Sequence, residues 1–313
     1  MAGDRCQRRT SGRHRRARAH IPLIHTSHPV FPAWCRPSPG GPVTHPTPPL
    51  VELSDVDFSH GPDLPVLRSV DLRIRAGDRI AVLGANGSGK STLFRLLAAA
   101  WKPDHGELRV DGEPVRYNRA GRDRVRRRVQ LVLQEPDDQI FATSVSADIA
   151  YGPVNMGLDH HEVKRRVNEA MTAAEVVDLA DRVPHQLSYG QRKRVALAGA
   201  LAMDPAVLLL DEPTAGLDPA GGRQLLLTLA ALNAKGTAVV LSTHDVDLAY
   251  AFADTAVVLT GGTIFSGNVE DVLTDRDLME RARLGLPWAP LVSRALGRKI
   301  SAPEELPESR EYP

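Results

Sequence analysis

Eight consecutive residues carry the clearest chemistry in the chain: Gly84-Ala85-Asn86-Gly87-Ser88-Gly89-Lys90-Ser91, followed at once by Thr92. Glycines at this spacing let backbone N–H groups turn inward around anionic oxygens. A lysine and a hydroxyl at the end of the loop add a point charge and a ligand for a hard cation. The pattern G-x-x-x-x-G-K-[ST] is that of a polyphosphate cradle, with Lys90 reaching the β- and γ-phosphates of a nucleotide and Ser91 a Mg²⁺ ion. The apolar run Ile80–Leu83 before it and the helical pattern Ser91–Ala100 after it supply the strand–loop–helix setting such a loop needs. The start of that helix adds its own partial positive charge.

A second group of residues is complementary. The apolar run Val207–Leu210 ends in Asp211-Glu212. A carboxylate at the end of a buried strand suits Asp211 to organising Mg²⁺, and Glu212, one residue on, to polarising an attacking water as general base. The two groups together read as a P-loop nucleoside triphosphatase. Three further segments lie where doubly wound sheets bind ligands, just past a strand end or at a helix start. Leu187-Ser188-Tyr189-Gly190-Gln191 opens a long helical pattern, Gln134 follows Leu131–Leu133, and His244 follows Ala238–Leu241.

The elements that must hold these residues follow from periodicity. Short apolar runs recur at Ile80–Leu83, Leu131–Leu133, Val207–Leu210 and Ala238–Leu241, as strands buried on both faces do. Helical patterns at Ser91–Ala100, Gln191–Met203 and Ala220–Ala234 lie between them, so the expected core is a largely parallel α/β sheet. Residues from about 145 to 190 read as a helical insertion, clearest over His160–Ala174. A short strand, Thr263–Ser266, and helices near Val269–Leu273 and Asp275–Arg283 come later. The expected ATPase domain spans 50–284, and the proline-marked stretch 285–313 reads as loosely structured. Arg122–Arg128 reads as a solvated helix face.

Residues 1–49 are arginine-rich, then proline-rich, and read as disordered. They fit an upstream start, a genuine basic tail or, less well, a transit signal, since they lack an apolar signal core. Their histidines are too irregularly spaced for a metal site. Cys6 and Cys35, the two cysteines, have no CxxC spacing, so neither zinc nor a disulfide framework is indicated. Residues 1–48 carry a net charge of +7 and the rest −6, an acidic body that argues against nucleic acid as a partner. No run approaches the ~18 apolar residues of a membrane span. Any membrane role therefore comes through partners.

Together these motifs resemble the ATP-binding-cassette (ABC) family over roughly Val51 to Leu296. Gly84–Ser91 matches its Walker A motif, Val207–Glu212 its Walker B motif, Gln134 the Q-loop, His244 the switch histidine, and Ala215-Gly216-Leu217-Asp218 the D-loop. The signature, usually Leu-Ser-Gly-Gly-Gln, has Tyr189 at its third place. The resemblance implies a RecA-like P-loop core with an antiparallel β subdomain and a helical insertion. It implies ATP and Mg²⁺ as ligands, with Ser91, Asp211 and Gln134 around the metal and His60, beside Phe58, at the adenine-stacking position. It also implies a head-to-tail dimer with a second cassette, a copy or a paralogue. Ser188, Gly190 and Gln191 would then complete the partner's site in trans, His244 would contact the γ-phosphate and Asp218 would couple the two sites.

A narrower resemblance lies in Gln134–Phe141 and Asp148–Pro153, which are similar to stretches of energy-coupling-factor and cobalt importer cassettes. Tyr189 and Gly285-Leu286-Pro287-Trp288 also fit that group. This implies an ATPase subunit at the cytoplasmic face of the membrane, powering uptake of a metal ion or vitamin. Its partners would be a transmembrane coupling protein, docked near Pro136–Gln139, and a substrate-binding membrane component. The ATPase of another ABC importer or exporter, or a soluble non-transport ABC protein, stays open as an alternative.

Overall fold

The computed structural model describes residues 48–61, 64–298 and 300. Residues 1–47 and 301–313, with Cys6, Cys35 and most of the basic tail, lie outside the described residues.

The chain opens with β1 (Val51–Ser59) and β2 (Pro65–Ile74), paired antiparallel, then enters β3 (Arg79–Leu83) and helix α1 (Lys90–Leu97). Strands β4 (His105–Val110) and β5 (Glu113–Pro114) complete a four-stranded antiparallel sheet of order β2-β1-β4-β5. Helix α2 (Arg119–Arg128) is the arginine run, with only Val125 fully buried, and leads into β6 (Val129–Val132). Helices α3 (Val145–Asn155) and α4 (His160–Ala173) follow, then α5 (Tyr189–Leu201). The chain returns through β7 (Val207–Leu210), α6 (Pro219–Asn233), β8 (Ala238–Thr243) and α7 (Val246–Phe252). Strands β9 (Thr255–Thr260) and β10 (Thr263–Asn268) and helices α8 (Val269–Thr274), α9 (Arg276–Arg281) and α10 (Trp288–Leu296) end it.

The second sheet has the order β10-β9-β3-β8-β7-β6 and is parallel except for its β9–β10 edge. Each central strand feeds two cores, because successive side chains point to opposite faces. Ala81, Leu83, Leu208, Leu210, Val239 and Leu241 meet the helical side. Ile80, Val82, Val207, Leu209, Ala238 and Val240 meet α1 and the antiparallel sheet. Each fully buried Leu or Ile is worth about 1.5–3 kcal/mol, and a one-residue slip would exchange both sets, so register is firmly held. The loops after β3, β6, β7 and β8 therefore emerge at the carboxyl ends of neighbouring strands.

Two readings need correction. The stretch from 285, expected to be loosely structured, contains α10, whose Ala289 and Pro290 are buried. Pro287 is its cap and Pro290 sits in its first turn, where a missing N–H costs nothing. In addition, Leu133 falls just beyond its strand, which ends at Val132. Among the described residues no helix is long and apolar enough to cross a membrane.

Candidate nucleotide site

The phosphate loop bridges β3 and α1. Gly84 passes so close to β9 that an added Cβ would lie 2.7 Å from the Leu259 carbonyl oxygen. Gly89 caps α1 with φ +107 in the left-handed region, which only glycine adopts without strain. Helix α1 has no side-chain cap and no acidic residue in its first turn, so its first amides are left to an outside acceptor. Lys90, only 7% exposed, donates from Nζ to the Gly84 carbonyl at 2.8 Å. Ser88 Oγ is buried with no hydrogen-bond partner. A buried hydroxyl and a buried ammonium turned back on its own loop fit an anion that takes these donors.

Strands β7 and β8 bring the acids to the same place. Asp211, buried, accepts a 2.5 Å hydrogen bond from Ser242 Oγ. Glu212 sits at φ +46, a left-handed conformation that costs a non-glycine residue about 1–3 kcal/mol and is concentrated at functional sites. Its N–H donates to Ser242 Oγ at 2.9 Å. Its Oε2 lies 3.1 Å from His244 Nδ1 and its Oε1 lies 3.6 Å from Lys90 Nζ. Oε1 is buried without a hydrogen-bond partner, the second orphaned polar atom here. His244 itself stays open, with its side chain 65% exposed.

The remaining predicted residues fall into two groups. His60, exposed at the end of β1, places Nε2 3.4 Å from Thr92 Oγ1 at the start of α1. Its ring stands perpendicular to Phe58 and Trp101, which stack with centroids 5.3 Å apart and planes 7° apart. These residues share the α1 side of the molecule. Ser188, Gly190, Gln191 and Asp218 instead line a separate cavity of about 680 Å³ that contains no residue of the phosphate loop. Ser188 caps α5: its Oγ accepts from Gln191 N at 3.3 Å, and Gln191 Oε1 accepts from Ser188 N at 2.9 Å. Asp218 caps α6 by accepting from Gly221 N. Gln134 is exposed, and its carbonyl accepts from the Tyr189 hydroxyl at 3.3 Å.

Sequence reasoning missed Lys193, Ser242 and Trp101. Ser242 holds Asp211 and Glu212 together, and Trp101 walls the aromatic cluster. Lys193 is 7% exposed and donates to the carbonyls of Glu212, Pro213 and Ala215. A charged residue four positions after Tyr189 on a helix otherwise buried at Val195–Ala198 was the one available signal.

Comparison with known proteins bears on this geometry. A family described as ABC transporter matches residues 67–215. A Streptomyces coelicolor chain provisionally described as an ABC transporter ATP-binding protein is 52% identical over 247 residues, 78% of this chain and 86% of its own length. The energy-coupling factor transporter ATP-binding protein EcfA of Methanocaldococcus jannaschii is 42% identical over 257 residues, 82% of this chain and 92% of its own. Among solved structures, CbiO1 of Clostridium perfringens, part of the ABC transporter complex CbiONQ, has a TM-score of 0.68 at 34% identity. It covers 80% of this chain and 100% of its own. The dimeric ATP-binding cassette MJ0796, solved with ADP and Pi, has a TM-score of 0.64 at 28% identity, over 70% of this chain and 98% of its own. The chain thus belongs to the ABC transporter family, as an ATP-binding and ATP-hydrolysing subunit of the energy-coupling factor importer type.

Proposed function

We propose that Glu212 is the general base of ATP hydrolysis and that the reaction is completed only in a dimer. The observation that carries this is the buried Oε1 of Glu212, which has no hydrogen-bond partner and lies 3.6 Å from Lys90 Nζ, with Oε2 already held by His244. One carboxylate oxygen is anchored and the other is left to take a proton from water. The loop amides and Lys90 bind the β- and γ-phosphates, and His244 orients Glu212 and meets the γ-phosphate. The oxygen donors Ser91, Asp211 and Gln134 suit Mg²⁺, which neutralises phosphate charge when bound. His60 carries the adenine.

The separation of Ser188 and Gly190 from the phosphate loop supports their acting on a second cassette, a copy or a paralogue. Closure of the two subunits then excludes water and brings the Ser188 hydroxyl and the α5 amides to the γ-phosphate. Asp218 lies beside the signature and links the two sites. The surface by Pro136–Gln139 suits a membrane partner. Asp137 pairs with Arg192 at 2.8 Å, Gln139 accepts from Leu133 N, and Phe141 and Tyr151 meet edge to face while 60% and 55% exposed. Such an apolar patch beside a polar turn fits a transmembrane coupling protein that itself carries a substrate-binding membrane component. The subunit so placed sits at the cytoplasmic face and powers uptake of a metal ion or vitamin.

The test is Glu212→Gln. Turnover is expected to fall by more than about 100-fold while ATP binding persists and a nucleotide-bound dimer accumulates on gel filtration. Near-normal turnover in this variant removes Glu212 from the role.

A further inference from the structure

Glu212 cannot do this work from a relaxed backbone. Its φ of +46 has to be held by its surroundings. One side of the residue is fixed by Ser242 Oγ, which accepts its N–H. The other side turns sharply, since Ala215 N donates back to the Glu212 carbonyl at 3.2 Å. The carbonyls of that turn need partners, because the segment is buried or half-buried.

Three of these carbonyls share one ammonium group as a partner. Lys193 Nζ donates to Glu212 O at 2.9 Å, Pro213 O at 3.2 Å and Ala215 O at 2.7 Å. An ammonium has three N–H donors and no acceptor, so the three carbonyls use it fully. Burial draws its pKa down to about 8 against the pull of Glu135, Glu212 and Asp211, which leaves it charged at neutral pH. Tyr189, one turn earlier on α5, lies with its ring 5.5 Å from Nζ and packs against Gly216. A Cβ on Gly216 would meet that ring at 2.6 Å, so the turn and the helix interlock. The same helix begins at Ser188.

We propose that Lys193 is a positioning residue for hydrolysis: it clamps the turn that holds Glu212 and ties that turn to α5. Its donors go to backbone carbonyls, so it acts through Glu212, and the proposal rests on the role assigned to Glu212. A displacement of about 1 Å at a catalytic group costs on the order of 100-fold in rate, so loss of the clamp should be visible in turnover.

The experiment uses the full chain and compares Lys193→Met, which keeps the stem, with Lys193→Arg, which keeps charge and donors in a different shape. Steady-state ATPase assays and melting curves are run beside Glu212→Gln. The expected order of kcat is wild type, then Arg, then Met, with Met at least about 10-fold down, KM for ATP within about twofold and the Arg variant melting as wild type does. A purely structural lysine would move melting temperature and leave kcat per folded site unchanged; wild-type kcat in folded Lys193→Met overturns the proposal. Where Lys193→Met does not fold, Lys193→Arg decides alone: lower kcat at unchanged melting temperature supports the clamp, and wild-type kcat overturns it. Glu212→Gln separates the two layers. If Glu212→Gln is inactive while Lys193→Met is fully active, the base stands and the clamp falls. If Glu212→Gln is active, both fall.

Discussion

The starts of α1 and α5 are both places where a helix can meet an anion, and they are built in opposite ways. At α1 the cap is a glycine, no side chain accepts from the first turn, and a buried lysine donates back to its own loop. At α5 a capping box is closed: Ser188 and Gln191 each accept from the other's backbone. The first end has donors in search of an acceptor, and the second is satisfied alone, with the Ser188 hydroxyl proton still to give. The difference fits the order proposed above, in which the α1 end binds nucleotide in a single subunit and the α5 end, a finished surface, reads a phosphate already held elsewhere.

Ser188→Arg gives the largest expected effect on that contrast. A bulky cation on the α5 end should cut turnover by more than about 100-fold by blocking closure, while calorimetric ATP affinity of the isolated subunit stays as in wild type. If affinity collapses together with turnover, the α5 end belongs to the subunit's own site and the contrast is broken. Lys90→Ala is the converse and smaller. Removing a charged hydrogen bond worth about 1.5–3 kcal/mol should weaken ATP binding to the isolated subunit by roughly 10- to 100-fold. Unchanged affinity would mean that the α1 amides suffice and that Lys90 serves only Glu212.

The sequence announces both of these ends, but not what joins them. The α1 end is local: loop, lysine and hydroxyl are contiguous, and the flanking strand and helix repeat with their own periods. The α5 capping box is likewise local, Ser188 to Gln191. What joins the ends is not. Lys193 reaches its carbonyls 19 to 22 residues along the chain, and Ser242 reaches Glu212 across 30. No periodicity encodes such contacts. The left-handed φ of Glu212 is hidden for the same reason, since nothing in a Leu-Asp-Glu-Pro run favours it. Strand β4, His105-Gly-Glu-Leu-Arg-Val110, was silent because glycine and charged residues dilute its alternation, although Leu108 and Val110 do point inward. The prolines before and inside α10 were audible but misread, being in the one turn of a helix that tolerates them.

The smallest effect concerns the far side of the α1 end, where the proposed adenine position offers two rings, Phe58 and His60. Phe58 spends one face on Trp101, at 5.3 Å and nearly parallel, and is half-buried. His60 is exposed, and the two larger rings brace it at right angles. Its other tie, 3.4 Å to Thr92 Oγ1, is long for a hydrogen bond and easily given up. An imidazole offers less area than a phenol ring, and aromatic stacking is worth about 0.5–1.5 kcal/mol, so His60→Tyr should tighten ATP binding by roughly two- to fivefold. The same substitution should leave binding of inorganic triphosphate untouched, because that ligand has no base to stack. Equal gains for both ligands would place residue 60 against the phosphates. No gain for either would move the adenine onto Trp101 and Phe58, leaving His60 as the brace of that wall.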